Sequence, residues 1–207
     1  MIKMEIDQVA VNDVKKMLGE FSGKYKSVMV TSINKTLKTA QTQAVARIGN
    51  ELNLKAARIK KDFTTQKANF SKISGAVVAK GKPVGLVQFG ANQTLKGVSV
   101  KVLRSGSREL LKHAYIAARG TKEHVYWRST QRHKHPPAKK FSVGKKARAK
   151  WAAIPIDMRR PVERLTGPRV EDIFAKDRVF DPVSIQAQHV YLQNVEAKVQ
   201  EIIRRYG

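Results

Sequence analysis

At 207 residues, with 42% hydrophobic side chains, the chain is long enough and apolar enough to bury a core, which excludes global disorder. It has no cysteine, which excludes disulfides and thiolate metal sites, and no apolar run near the ~18 residues of a membrane span. Its 41 Lys and Arg against 16 Asp and Glu give a formal net charge of +25, which favours nucleic acid or an acidic protein surface as partner, and no membrane.

Apolar residues at helical spacing predict helices in residues 1–69. Val11, Val14 and Leu18 favour a short first helix. A long helix is predicted from Tyr25, because its apolar residues recur at steps of three and four and form one stripe. The stripe contains Met29, Ile33, Leu37, Ala40, Ala44 and Ile48. Asn53 is the expected N-cap of a further short helix over 54–63.

From residue 70 to 163 the apolar pattern changes to a period of two residues, which is typical of strands. Short segments rich in Val, Ile and aromatic residues are separated by Gly, Ser, Pro or Asn. These segments lie at 72–81, 84–91, 97–103, 113–120, 124–129 and 151–157. Within one of them, Val98, Val100 and Val102 share one face, which predicts a half-buried antiparallel strand.

A C-terminal helix is predicted with Asp181 as its N-cap and Pro182 at its first helical position. Its expected apolar face consists of Ile185, Val190 or Gln188, Leu192, Val195, Val199, and Ile202 or Ile203. Arg204 and Arg205 lie at the negative end of this helix, where cations are favoured.

Together these patterns predict an α+β fold. Long N-terminal helices are expected to pack on an antiparallel β-sheet or sandwich, with a C-terminal helix after it. The predicted regions are helical at 1–69, antiparallel β at 70–163 and C-terminal helices at 164–207. We expect all three to form one domain.

The excess of positive charge is concentrated in residues 101–150, which contain 15 Lys and Arg against two acids. The stretch 128–150 has adjacent prolines, no acid and few large apolar residues, so it is predicted to be a long exposed loop between strands. Its expected DNA- or partner-contacting residues are Arg132, Lys134, Lys139, Lys140, Phe141, Lys145, Lys146, Arg148 and Lys150. Phe141, Trp127 and Trp151 are also candidates for stacking on bases, although the two Trp lie in strand-like segments that favour a structural role.

The sequence offers no recognisable catalytic signature. A site built from His113, His124, His133 and His135 is conceivable, but the dense Lys and Arg around them oppose a divalent cation. The acids between 157 and 181, of which only Glu171 and Asp172 are adjacent, cluster around expected helix starts and favour a structural role over the paired carboxylates that hold Mg²⁺ in nucleases. No Gly-rich phosphate loop is present. We therefore expect no catalytic residue, no metal site and no cofactor.

Four segments, in order, resemble the prophage minor tail protein Z family, the tail-completion proteins of long-tailed bacteriophages. They are NKTLKTAQTQAVARI, ELNLKAARIKK, VGLVQFGANQTLKGVSVKVLRSGSRELLKHAYIA and IPIDMRRPVERLTGPRVEDIF. The likeness spans roughly residues 30–175 and includes Asn53 to Ile59, Phe89 to Gly97, and Leu165, Gly167 and Pro168. The basic stretch 128–150 does not align with the family pattern.

The resemblance implies a structural virion protein without enzymatic activity, at the head-proximal end of the phage tail. Such a protein, made in the host cytoplasm, would form a homo-oligomeric ring, expected to be a hexamer, that helps to join tail and head. Its implied partners are the tail terminator, the head–tail connector proteins and the packaged double-stranded DNA. In such a ring the basic loop would contact either DNA phosphates or a neighbouring ring.

The resemblance also gives the segment RLTGPRVEDIF a structural role. Gly167 and Pro168 would form a tight turn, and Pro168 would start a short helix. Glu171 and Asp172 would lie at the positive end of that helix, while its apolar residues dock on the sheet.

A sequence-nonspecific nucleic-acid-binding protein is the alternative function. The net charge and the basic loop suffice for it. Such a protein should bind DNA or RNA as a monomer, and steep loss of binding with added salt would favour phosphate contacts.

Overall fold

The structure is a computed structural model that describes residues 2–4, 8–119, 121–128 and 162–206. Within these residues the chain combines helices with antiparallel sheets and includes a C-terminal helix. Its contacts divide it into two compact units. We call residues 1–84 with 168–207 the helical unit, and residues 85–167 the strand unit. The expectation of one domain stays a prediction.

The helical unit begins with the short strand β1 (Ile2–Met4) and the helix α1 (Gln8–Leu18). Gly19 follows α1 with φ 53°, a left-handed conformation that ends an α-helix at little cost for glycine. A 3₁₀ helix then leads into the long helix α2 (Tyr25–Glu51), which confirms the predicted long helix. The whole predicted stripe of α2 is buried.

The short helix α3 (Ala56–Lys60) follows α2. The prediction that Asn53 caps this helix is wrong, because the N-cap position is Lys55, whose backbone is extended. Ile59 of α3 is fully buried. At the end of α3, Arg58 and Asp62 form an ion pair, with 2.8 Å between Arg58 Nη1 and Asp62 Oδ2.

A three-stranded antiparallel sheet packs against α2. β3 (Gly75–Ala79) lies in the middle, between β1 and β2 (Phe63–Gln66). A Cβ at Gly75 would lie 2.5 Å from Leu37 Cδ1 and 2.9 Å from the Gln66 carbonyl oxygen. Glycine at this position therefore lets α2 approach the sheet closely.

Two helices complete the helical unit, α4 (Val170–Phe174) and α5 (Asp177–Tyr206). The prediction that α5 starts at Pro182 is wrong, since Pro182 lies inside the helix and Asp181 is not its N-cap. The backbone N–H groups of Val179 and Phe180 donate to the Lys176 carbonyl at 2.8 and 2.9 Å. These bonds start the helix earlier, so Pro182 lies beyond its first turn and the helix forgoes the one intrahelical bond that the missing N–H would donate.

The apolar face predicted for α5 is correct in its second half only. Val195, Val199 and Ile202 are buried, whereas Ile185 and Leu192 are 66% and 65% exposed. Val190 and Ile203 are also less buried than the core. In the first half the buried residues are Val179, Val183 and Ala187, which continue the same stripe at steps of four. These smaller side chains let α5 pack closely against α2.

The interface between α2 and α5 includes polar contacts. Thr36 is fully buried; its hydroxyl donates to the Ser32 carbonyl at 2.8 Å and accepts from Asn194 Nδ2 at 3.1 Å. The Tyr191 hydroxyl donates to Met29 Sδ at 3.4 Å. Burial raises the pKa of Tyr191 above its ordinary value of 10.0.

The strand unit contains two further three-stranded antiparallel sheets, β4–β5–β6 and β7–β8–β9. The strands are β4 (Asn92–Thr94), β5 (Gly97–Val100), β6 (Glu109–Lys112), β7 (Tyr115–Arg119), β8 (Lys122–Arg128) and β9 (Val162–Arg164). Val98 and Val100 are buried on one face of β5, which confirms the predicted strand as far as Val100. Val102, predicted on the same face, lies beyond the end of β5 and is only partly buried. The strand predicted at 151–157 lies outside the described residues.

The strand predicted at 84–91 is wrong. Leu86–Phe89 form a 3₁₀ helix, followed by Gly90 in the left-handed conformation with φ 69°. The two buried side chains, Leu86 and Phe89, are three residues apart. In a 3₁₀ helix side chains three residues apart lie on the same side, which explains why this apolar segment does not adopt a period of two.

Candidate interaction surface

The predicted contact residues of the basic stretch all lie outside the described residues. They are Arg132, Lys134, Lys139, Lys140, Phe141, Lys145, Lys146, Arg148 and Lys150. Trp151 lies there too. Trp127 is in β8, 40% exposed, and its Nε1 donates to Glu163 Oε2 at 3.3 Å. Contact of the basic stretch with DNA or a partner stays a prediction.

Gly167 is required by close packing within the strand unit. A Cβ at this position would lie 2.6 Å from Cε2 of the buried Phe89 ring. The preceding residue, Thr166, forms an antiparallel bridge with Gly85. Two of the segments that carry the tail-protein resemblance therefore contact each other through Phe89 and Gly167, although they are far apart in the sequence.

The short helix after Gly167 differs in part from the prediction. Helix α4 begins at Val170 with Arg169 as its extended N-cap residue, so Pro168 does not start it. Because Pro168 precedes the helix, its lack of an N–H removes no hydrogen bond from α4. Glu171 and Asp172 lie in its first turn, where negative charge is favoured.

The apolar residues of α4 fix it in the core of the helical unit. Ile173 and Phe174 are buried. The Phe174 ring packs edge-on against Phe63 of β2, at 5.3 Å between centroids, and against Phe180 of α5 at 5.7 Å. Packing within the helical unit therefore explains the apolar residues Ile173 and Phe174 at the end of the segment RLTGPRVEDIF.

Polar side chains hold the hairpin of β4 and β5 in place. Gln93 Nε2 donates to the carbonyls of Thr94 and Gly97, and its Oε1 accepts from the Ile116 N–H at 2.7 Å. The Thr94 hydroxyl donates to the Gly97 carbonyl at 2.9 Å. Gly97 has φ 150°, and a Cβ there would overlap the Leu111 carbonyl oxygen. The hairpin is thus fixed by the side-chain hydrogen bonds of Gln93 and Thr94 and by the close backbone approach at Gly97.

One face of the β4–β5–β6 sheet carries cations and small polar residues. Two rows of paired residues cross this face. One row is Asn92, Ser99 and Leu110, and the other is Thr94, Gly97 and Lys112. Arg108 precedes β6, and Lys96 lies in the hairpin turn at the other end. We call this set the cationic face: Lys96, Arg108 and Lys112, with Asn92, Thr94 and Ser99. All three cations are exposed.

Sequence reasoning did not single out the cationic face, because the denser basic stretch 128–150 dominated the charge pattern. A signal was nonetheless present. Residues 63–108 contain eight Lys or Arg and no acid. Only the register of the strands places Arg108 and Lys112 beside the polar residues of β4 and β5.

Among the described residues no group of three or more His, Asp or Glu is arranged to hold a metal ion. His113 lies in an exposed turn with φ 63°, and His124 lies in β8. His133 and His135 are outside the part of the chain that the structure describes. In the described part of the chain no helix is both long and apolar enough to cross a bilayer.

Comparison with known proteins adds no family. No protein-family model matches the chain, and no match was found among curated proteins or solved structures. The resemblance to tail-completion proteins therefore stays a prediction.

Proposed function

We propose that the protein is a non-enzymatic structural virion protein, a tail-completion or minor tail protein at the head-proximal end of a long-tailed phage tail. In this proposal copies of the chain form a ring, with six copies expected, that helps to join the tail to the head. The ring contacts the tail terminator and the head–tail connector proteins, and its basic stretch faces packaged DNA or a neighbouring ring.

The observation that supports this proposal is the contact between Phe89 and Gly167. Both residues belong to segments on which the tail-protein resemblance rests, and their packing gives those segments a common structural purpose. Gln93, from one of the same segments, holds the β4–β5 hairpin. These residues serve a scaffold, as expected for a protein that acts by assembly.

We also propose that packing of the long helices on an antiparallel sheet is the architecture of the helical unit. In the helical unit, α2 packs on its sheet through Ile33 and Leu37 at Gly75. A ring subunit of this kind would use the packed helices as a rigid frame.

The test is deletion of the gene from the phage or prophage that encodes it, with complementation. Purified wild-type particles should contain the chain, detected by mass spectrometry. Deletion should give separate filled heads and tails in electron micrographs, and the wild-type gene should restore joining. Joined, infective particles after deletion, or particles that lack the chain, would refute the proposal.

A matched pair of variants ties the test to the structure. Gly167→Val places side-chain atoms against the Phe89 ring and should restore joining poorly. Gly106→Val is the control, because a Cβ there meets its nearest neighbour at an ordinary 3.5 Å. Equal complementation by both variants would show that joining of heads and tails does not depend on the Phe89–Gly167 contact.

The alternative function, sequence-nonspecific nucleic-acid binding outside the virion, is favoured by the net charge of +25. It predicts tight binding of DNA by the monomer. It also predicts that the chain is absent from purified particles, so the same mass spectrometry separates the two functions.

A further inference from the structure

We propose that the cationic face of the β4–β5–β6 sheet binds the phosphate backbone of double-stranded DNA without regard to base sequence. The residues that carry the binding are Lys96, Arg108 and Lys112. Asn92 and Ser99 between them supply hydrogen bonds to phosphate and sugar oxygens, whereas the Thr94 hydroxyl already donates to the Gly97 carbonyl. This contact is separate from the basic stretch 128–150 and goes beyond the proposed place of the protein in the tail.

Arg108 is held in position by neutral acceptors. Its Nη2 donates to the Gly90 carbonyl at 2.8 Å, and its Nη1 donates to the Ser99 carbonyl at 3.2 Å. Carbonyl groups orient the guanidinium but do not neutralise it. Since guanidinium carries five N–H donors, others remain for a ligand. Arg108 is therefore an exposed, preorganised cation, and phosphate matches its planar geometry.

Lys112 extends this charge along β6. Arg108 and Lys112 are four residues apart, and a rise of about 3.4 Å per residue separates their backbones by roughly 14 Å. That length corresponds to about four phosphates along the axis of one DNA strand. Lys96, in the turn next to the end of β6, continues the row, since its carbonyl accepts from the His113 N–H at 3.2 Å.

Strand alternation keeps the carboxylate of β6 off this face. Glu109 pairs with Val100, so it projects to the same side of the sheet as the buried Val98 and Val100. On the opposite side the described residues of β4, β5 and β6 therefore present cations, neutral polar groups and the exposed Leu110, without an acid. The uniform sign of this charge suits an extended polyanion.

An acidic protein is the competing partner. A protein interface usually has a desolvated apolar anchor. Of the two exposed leucines here, Leu110 on the cationic face and Leu95 in the hairpin turn, Leu95 is fully exposed and is the stronger candidate. Nonspecific binding to phosphates depends on the cations and not on this leucine. Substitution of Leu95 therefore distinguishes the two partners.

The experiment measures binding of the full chain to a random-sequence DNA duplex of about 30 base pairs over a series of salt concentrations. The test variant is Lys96→Gln, Arg108→Gln and Lys112→Gln together. The control, Lys26→Gln, Lys60→Gln and Lys82→Gln, removes the same charge from exposed positions in the helical unit. A Lys96→Gln, Lys112→Gln variant retains Arg108 and its contacts, so it remains informative if the triple variant folds poorly.

We expect the triple variant to bind DNA about tenfold or more weakly and its salt dependence of log K to flatten by about 2.7. The variant that retains Arg108 should flatten it by about 1.8. The control should weaken binding by less than about threefold, and Leu95→Ser should leave affinity within about twofold. Equal losses in test and control variants would overturn the proposal, because net charge alone would then explain binding.

Two other outcomes would also overturn it. One is unchanged DNA binding in both Lys96 variants. The other is tighter binding of polyglutamate than of DNA that is lost with Leu95→Ser, which would identify an acidic protein as the partner. These readouts do not depend on the virion, so failure of the tail assignment and failure of this proposal are distinguishable.

Discussion

In the helical unit α2 and α5 bury long apolar stripes against each other, and α2 also packs on the sheet. In the strand unit, by contrast, tight turns and hydrogen-bonded loops hold short strands. Their charges differ as well. The strand unit has 19 Lys and Arg against four acids in 83 residues, and the helical unit has 22 against 12 in 124. We infer that side-chain burial stabilises the helical unit. The strand unit presents positive charge on a backbone that tight turns and hydrogen bonds hold in place.

The largest expected effect is the loss of a buried side chain from the helical unit. Leu37→Ala removes a fully buried side chain next to Gly75 and should lower the free energy of unfolding by about 3 kcal/mol. Lys38→Ala, on the exposed side of the same helix, is the control and should change it by less than about 0.5 kcal/mol. Urea denaturation followed by circular dichroism measures both. Similar midpoints for the two variants would contradict side-chain burial as the main source of stability.

In the strand unit the expected weak point is the backbone. Gly97→Ala should cost about 2 kcal/mol, because its Cβ would overlap the Leu111 carbonyl and its φ is unfavourable for alanine. Gly106→Ala should be nearly neutral. Hydrogen exchange of β5 and β6 is the measurement, and faster exchange is expected in the first variant alone. Unchanged exchange after Gly97→Ala would remove the distinction between the units.

Asn34 marks the limit of the comparison, since the helical unit also has a polar clamp. Its side chain bonds both backbone groups of the buried Ala68, at 2.9 and 3.0 Å. Asn34→Ala leaves both groups without these bonds and should cost about 1 to 2 kcal/mol. Asn50→Ala, at an exposed position of α2, is the control. If thermal melts of the two variants coincide, the clamp adds no stability.

The smallest expected effect concerns pH. Burial raises the pKa of Tyr191, so its contribution to stability is complete below about pH 10 and is lost as the pH rises through the folded-state value. Tyr191→Phe should lack this loss. Because the Tyr191 side chain is only partly buried, the loss of unfolding free energy between pH 9 and pH 11 should be larger in the wild type than in Tyr191→Phe by less than about 1 kcal/mol. Parallel stability curves from pH 9 to 11 would contradict it.

Patterns that depend on neighbouring residues were predictable. The stripe of α2 and the alternation of Val98 and Val100 in β5 both appear as expected, because helix and strand periods place apolar residues on one face whatever the rest of the chain does. The start of α5 and the burial of its first half were not. Ile185 and Val183 both lie on apolar faces, and only packing against α2 selects between them.

For the candidate site, the sequence by itself determined the sign and excess of charge, the helical stripe and the glycines that permit close packing. Tertiary structure alone decided that Phe89 meets Gly167 and that Arg108 and Lys112 share a face with residues of β4 and β5. The physical reason is that composition and local periodicity act within a few residues, whereas strand register and close packing join residues that the sequence keeps far apart.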